Sequence, residues 1–487
     1  MNVATPDWVK DAVFYQIFPD RFAKSAALQA HKPHHLETWD SPPTTHGFKG
    51  GDLLGVLEHL DHLVALGVNA IYFCPIFQST ANHRYHTHDY FQVDPLLGGN
   101  AAFRQLLDAA HARDIRVVID GVFNHASRGF YYFNHALENG KASPYLDWFT
   151  FTKFPLHAYD DGQQGYAAWW NLKALPKLNT YNPHVREYIM RVAEYWIEQG
   201  ADGWRLDVPA EIDDDSFWQE FRQRVKTKNP EAYIVGEIWH RADRWLQGDQ
   251  FDAVMNYQFT RAALSFCIGK KHAAHELLHD SYGHVVNADA PAFAEMLEQV
   301  QTWYPPEITY AQMNLLDSHD TARFLSIAKS DQTALKLAWL AMLTYPGAPT
   351  IYYGDEIGLE GGRDPDCRRG MIWDEAKWDL DLLDAAKRCI ALREKYHALR
   401  RPGGYARLYA HGMVYVFARQ LESETVIVAL NAGDKSATLD LNVGAVLKDG
   451  AVLQQEWRPR THTVLNGRVG EIEIPPRDGV VWSVQPL

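Results

Sequence analysis

This sequence predicts an α/β fold: a (β/α)8 TIM barrel with a subdomain inserted after its third strand and an antiparallel β-sandwich at the C-terminus. Three observations carry the prediction. Eight near-continuous apolar segments of strand length alternate mostly with helical stretches, as parallel strands covered on both faces do. One connection is far longer than the others. The last part of the chain switches to short alternating runs broken by Gly, Asn and Pro, the mark of antiparallel sheet. An open doubly wound sheet is the competing arrangement of the same elements.

The first strand is "AVFYQIFP", Ala12 to Pro19. In "GVLEHLDHLVALGVNAIYFCPIF", Leu57, Leu60 and Val64 stand at helical spacing, Gly67 falls where a helix would be capped, and Val68 to Cys74 is the second strand. The unit recurs with the stripe Phe103, Leu106, Leu107, Ala110 before the third strand, Ile115 to Asp120. It recurs again with Val185, Ile189, Val192 and Trp196 before Gly200 and a fourth strand that ends at "GWRLDV". Ala232–Ile238, Phe251–Tyr257, Thr309–Asp320 and Ala348–Glu356 complete the eight.

The long connection is rich in aromatics and Gly, and inserts of that size are commonly lids or subdomains. The chain therefore divides into residues 1–126 (first part of the barrel), 127–183 (inserted subdomain), 184–399 (remainder of the barrel) and 400–487 (sandwich).

A net charge of −14 argues against nucleic acid or an anionic membrane as partner. Sixteen Trp are compatible either with a Trp-rich core or with surfaces that stack flat, hydroxyl-rich rings. Cys74, Cys267, Cys367 and Cys389 lack CxxC spacing, so neither a zinc site nor a disulfide framework is indicated. The N-terminus has no signal-peptide pattern, and no apolar run reaches membrane-spanning length. A cytoplasmic protein is the expectation.

In a barrel of this kind chemistry sits where strands end, and polar residues accumulate there. Asp120, Asn124 and His125 follow the third strand; Arg205 and Asp207 end the fourth; Glu237 ends the fifth; His319 and Asp320 follow the seventh. Arg205 and Asp207, two apart on a strand, point the same way, so the guanidinium favours the ionised carboxylate. Taken alone, such a pair is often only structural. Several carboxylates converging on one mouth suit glycosidic cleavage, which needs one carboxylic acid to protonate the leaving oxygen and, in a retaining enzyme, one carboxylate to attack the anomeric carbon.

The blocks "DGVFNH", "GWRLDV", "GEIW" and "SHD", in that order and spacing, resemble the four signature regions of the α-amylase family of retaining glycoside hydrolases. "LPKLN" (Leu175 to Asn179) resembles a fifth region found in its neopullulanase, cyclomaltodextrinase and maltogenic amylase branch. The likeness extends from "VFYQIFPDRF" through "YYGDEIGLEGGRDPDCRRGM" to the C-terminal part.

The resemblance implies Asp207 as nucleophile, Glu237 as general acid/base and Asp320 as the carboxylate stabilising the distorted, oxocarbenium-like sugar. It implies that Arg205 orients Asp207, that His125 and His319 bind sugar hydroxyls at the cleavage point, and that Tyr85 is a stacking platform. Asp364 and Arg368 match residues near the next sugar on the non-reducing side, while Glu211 and Trp239 shape the side of the leaving sugars, where Ala210 replaces a common Asn. His83, His86 and His88 lack a second ligand group, so no metal site is expected among them.

"DRFAKSAALQAH" lacks the Asn/Asp-rich stretch that binds calcium in many relatives. No cofactor is required on this reading, and calcium is not assumed. The branch carries an N-terminal sheet domain that mediates dimerisation, whereas here the barrel starts near Asp11. A monomer, or a homodimer formed by another route, is therefore expected. The cleft is then more open, or is closed by Tyr131, Tyr132, Trp169 and Trp170 of the insert.

The resemblance implies a hydrolase that cleaves α-1,4 bonds of maltooligosaccharides, cyclodextrins or pullulan through a covalent glycosyl-enzyme, with transglycosylation as a side reaction. An α-1,6 debranching enzyme and a trehalose-forming isomerase are enzymatic alternatives. A non-catalytic glycan-binding or transporter-associated member of the fold is an alternative of another class. Such members have a membrane anchor or lack the catalytic carboxylates, and this sequence has all three carboxylates and no apolar anchor.

Overall fold

The computed structural model describes residues 3–29, 32–33, 35–269 and 273–485, and in it the eight apolar segments close into a barrel. The strands are β1 (Phe14–Ile17), β2 (Ala70–Phe73), β3 (Arg116–Gly121), β4 (Gly203–Leu206), β5 (Tyr233–Gly236), β6 (Ala253–Asn256), β7 (Met313–Leu315) and β8 (Ala348–Tyr352). Neighbours pair in parallel around the ring, and β8 returns to β1 with Thr350 opposite Phe14. Closure excludes the doubly wound alternative. Every strand residue except Arg116 is buried, which is why the runs read as continuously apolar.

The strands are shorter than their apolar runs because turn chemistry stops them first. After β7 the chain leaves the sheet at once: Thr321 Oγ1 accepts from the Ser318 amide, and Asp317 accepts from that of Phe324. After β8 it turns at Gly354, whose φ of 87° is open to glycine at little cost.

Helices α1 (Leu60–Leu66), α2 (Gly99–His111), α3 (Pro183–Glu198) and α4 (Asp215–Lys228) pack around the barrel. Gly67 caps α1 in the left-handed conformation, as its position predicts. One part of the predicted stripe is displaced. His59 breaks the helix that precedes α1, so the buried face is Leu60, Leu63 and Leu66, and Val64 points outward. The predicted stripes of α2 and α3 are buried in full.

Between β3 and α3 the chain forms one α-helix, Tyr131–Asn139, three short 3-10 turns and a set of isolated bridges, among them His125 to Lys177 and Ala168 to Pro176. Beyond the barrel lie β9 (Gly404–His411), β10 (Val414–Leu421), β11 (Glu424–Asn431), β12 (Ala437–Asn442), β13 (Val452–Gln455), β14 (Thr461–Thr463), β15 (Arg468–Ile474) and β16 (Asp478–Gln485). They form a six-stranded sheet, β9-β10-β11-β16-β13-β14, and a two-stranded one, β12-β15. The strand period of two divides their side chains: Tyr415, Phe417, Val428 and Leu430 join the barrel core, while Val416, Ile427 and Trp482 pack with Leu441, Val469 and Ile472 of the smaller sheet.

Candidate active site

A cavity of about 770 Å3 opens where the barrel strands end, walled on one side by the insert. Its floor is built on Arg205. This residue of β4 stands opposite Asp120 of β3 in register and is completely buried. Its Nη1 donates to both Asp120 oxygens at 2.9 and 3.0 Å and to Asp207 Oδ1 at 3.2 Å. Its Nη2 lies 3.0 Å from Glu237 Oε2. The sequence places the guanidinium beside Asp207; the structure adds Asp120 and Glu237 to the same cation.

Glu237, just past β5, accepts two hydrogen bonds, from the Val208 amide (3.1 Å) and from Trp239 Nε1 (3.2 Å). Val208 adopts φ 37° and ψ 49°, a left-handed conformation that a β-branched residue adopts only under strain. Asp207 Oδ2, by contrast, is buried with no partner, as is His125 Nε2.

Burial pushes the carboxyls of Asp207 and Glu237 above the usual range, opposed by Arg205 and reinforced by Asp320. The cause can be counted, since Asp120, Asp207 and Glu237 surround one guanidinium. Three ionised carboxylates beside one cation in a dry site are unfavourable, so the group retains a proton to higher pH than isolated carboxyls would.

Asp320 behaves differently. Its side chain is 31% exposed. Burial still works to raise its carboxyl, but His319, Arg368 and Arg205 outweigh that effect and hold it below the usual range. Arg368 Nη2 is 3.4 Å from Asp320 Oδ1, and Arg368 Nη1 is 2.9 Å from Asp364.

His319 lies beneath Asp320. Gln16 Nε2 donates to its Nδ1 (2.7 Å), which leaves the proton on Nε2, 2.6 Å from the Tyr85 hydroxyl. Tyr85 in turn donates to Asp120 (3.0 Å), and its ring stacks on His319 with an interplanar angle of 8°. Burial lowers the imidazoles of His319 and His125 to about 3 and that of His86 to about 4, so all three are neutral hydrogen-bonding groups near pH 7.

Of the residues predicted for the site, Asp207, Glu237, Asp320, Tyr85, His125, Glu211, Trp239, Asp364 and Arg368 line the cavity, and Arg205 and His319 lie directly beneath it. Trp169 and Trp170 line it too. Tyr131 and Tyr132 do not. Their helix packs on the insert's own aromatics, with Tyr132 stacked on Trp148 at 3.7 Å, so they do not close the cleft.

Three participants were missed by the sequence reading. Lys177 pairs with Glu211 at 3.0 Å. Tyr257 lies 3.4 Å beneath Trp239 in a parallel stack, and His279 lies 4.8 Å from the Trp239 ring. Tyr257 stands at the end of a recognised strand and could have been found there, whereas His279 lies in an irregular segment without periodicity.

Among the described residues, no three or more His, Cys, Asp or Glu side chains gather as metal ligands would. His88 instead sits 3.0 Å from Ser127 Oγ, and His83 accepts from the Tyr85 amide. Just after the segment where a calcium site would be sought, Lys32 Nζ lies 3.1 Å from Asp52. No helix among the described residues is long and apolar enough to cross a membrane.

A closed parallel barrel that gathers three carboxylates at the C-terminal ends of β4, β5 and β7 defines a glycoside hydrolase. Residues 16–401 match the α-amylase catalytic domain, and residues 403–454 the α-amylase C-terminal domain. The chain belongs to the α-amylase family and is an α-glucan hydrolase. It is 47% identical over 438 residues to a cyclomaltodextrinase of Bacillus sp., a match covering 89% of this chain and 75% of that protein. The crystal structure of a protein from Thermus thermophilus superposes with a TM-score of 0.93 at 48% identity, covering 98% of this chain and 99% of that one. A debranching enzyme of Nostoc punctiforme superposes with a TM-score of 0.90 at 49% identity, covering 99% of this chain and 100% of that one.

Proposed function

We propose that the enzyme cleaves α-1,4 bonds of maltooligosaccharides and cyclodextrins with retention, through a covalent glycosyl-enzyme on Asp207. The observation that carries this reading is the division of labour around Arg205. Asp207 keeps one oxygen on the guanidinium and the other, without a partner, free to attack. Glu237, held by two hydrogen-bond donors beside the Arg205 guanidinium and raised by burial, gives its proton to the leaving oxygen and later takes one from the incoming water. Asp320, kept ionised by its cationic neighbours, stabilises positive charge developing on the sugar. His125, neutral and with its Nε2 unpartnered, holds a hydroxyl at the cleavage point, while His319, whose ring nitrogens already meet Gln16 and Tyr85, positions Tyr85 to stack against the sugar ring. Water and sugar hydroxyls compete for the same intermediate, so transglycosylation accompanies hydrolysis. No cofactor is required on this reading, and calcium is not assumed.

The likeness to the Nostoc debranching enzyme, which extends over both whole chains, favours a second reading, cleavage of α-1,6 bonds at branch points. Digestion of pullulan beside a cyclodextrin separates the two. Panose from pullulan together with opened cyclodextrin supports α-1,4 cleavage; maltotriose supports α-1,6 cleavage. No product from either substrate would overturn both readings.

A further inference from the structure

On the insert wall, three rings form a ladder out of the cleft. His125 stacks on Trp169 with centroids 5.1 Å apart and planes within 10°, and Trp169 stacks on Trp170 at 4.3 Å and 15°. The ladder begins at the buried His125 beside the carboxylates and ends at a Trp that is 74% exposed although it lines the cavity. With Trp169 covering one face, the exposure belongs to the other face and the edges. The other strongly exposed aromatics, Tyr131, Tyr159 and Tyr181, lie outside the cavity.

The backbone holds Trp170 in this position against its preference. Trp170 has φ 48° and ψ 26°, and Asn171 follows with φ 57°. Two consecutive non-glycine residues in the left-handed region are strained, and strain of this kind collects at ligand clamps. The turn is closed by the Leu172 amide on Trp169 O (2.9 Å) and the Trp169 amide on Leu175 O (3.0 Å). The indole N–H of Trp169 is buried without a partner. Burying an indole face would be the ordinary packing outcome; here a strained turn presents one to water at the mouth of a sugar-cleaving site.

We infer that Trp170 is the outer stacking platform of the cleft. It takes the apolar face of a glucosyl unit beyond those at the cleavage point, so that longer α-glucans are selected over short ones. This rests on the α-glucan reading of the cleft given above. Trp170 acts by positioning and touches none of the reacting atoms.

The test compares kcat and KM on maltotriose and maltoheptaose for the wild type, Trp170→Phe and Trp170→Gly, the last because glycine accepts the left-handed turn and folds without strain. In Trp170→Gly the ratio of kcat/KM for maltoheptaose to that for maltotriose is expected to fall about tenfold, mostly through KM, as for truncation of a stacking Trp. Trp170→Phe is expected to recover part of the loss. An unchanged ratio in an active Trp170→Gly enzyme overturns the inference alone. Failure of the wild type to cleave either oligosaccharide overturns the α-glucan reading beneath it.

Discussion

The Val208 amide donates to Glu237 Oε2 across 3.1 Å, and it does so from a residue held at a φ of 37°. The bend immediately after Asp207 thus supplies a fixed donor to the neighbouring carboxylate. Val208→Gly is expected to relieve strain of about 1 kcal/mol and to loosen that donor. Its melting temperature should not fall, while kcat should drop by up to about tenfold. A lower melting temperature with unchanged kcat would refute the coupling.

Glu237 serves as acid only while a poor leaving group needs a proton. Glu237→Gln is expected to lose about 10²- to 10⁴-fold in kcat on maltooligosaccharides. With α-maltosyl fluoride the leaving group departs without an acid, so rapid-mixing experiments should still show the first step. Asp207→Asn should abolish turnover of both substrates while folding normally, as judged by circular dichroism.

The pH dependence of activity follows from the raised carboxyl of Glu237. The competent form has Glu237 protonated, so kcat/KM is expected to fall as pH rises through the pKa of the coupled pair. On the acid side, the buried cluster rather than His125 or His319 sets the limb, since those rings lie at about 3. In the wild type the alkaline limb of kcat/KM should be present with maltooligosaccharides and absent with the fluoride, whose departure needs no acid.

His125 also links pH to stability. Its folded pKa of about 3 lies below the ordinary 6.5, so between these values the unfolded chain binds a proton that the native state does not. The stability this ring contributes is present above 6.5 and lost as pH falls toward 3. Relative to His125→Gln, the wild type should therefore lose on the order of 1 kcal/mol per pH unit below about 6.5. Denaturant melts of both proteins at about pH 7 and about pH 5 measure the difference directly.

Lys32 lies beside the fully buried Asp52, whose carboxylate also accepts from the amides of Ser25 and Gly55. Removing the cation in Lys32→Met should destabilise the protein by about 3 kcal/mol. Treatment of the wild type with EDTA should leave its melting temperature unchanged. A fall on chelation would mean that a metal ion shares this work.

The barrel was legible because its strands are buried on both faces and because α1 ends at a glycine, Gly67, just before β2. Strand ends were not, because Ser318–Thr321 and Gly354 stop β7 and β8 through local hydrogen bonds and backbone angles that apolar patterning does not encode. The carboxylates were legible because strand ends collect them. Sharing of Arg205 between Asp207, Glu237 and Asp120 was not, since residues from three strands meet only once the barrel closes. The opposite roles of Trp170 and Tyr132, one at the cleft and one packed in the insert, depend on loop geometry that leaves no period in the sequence.

Arg205 joins β3, β4 and β5 through a single side chain, and this bears on how such a site can be re-engineered. Positions that answer to one common neighbour cannot be varied one at a time: a change at Asp120, remote from the sugar, redistributes protons at Asp207 and Glu237 as surely as a change at either. Libraries that randomise the three carboxylates separately would therefore sample mostly dead combinations, and new activities are to be sought by changing them in concert with the guanidinium that binds them together.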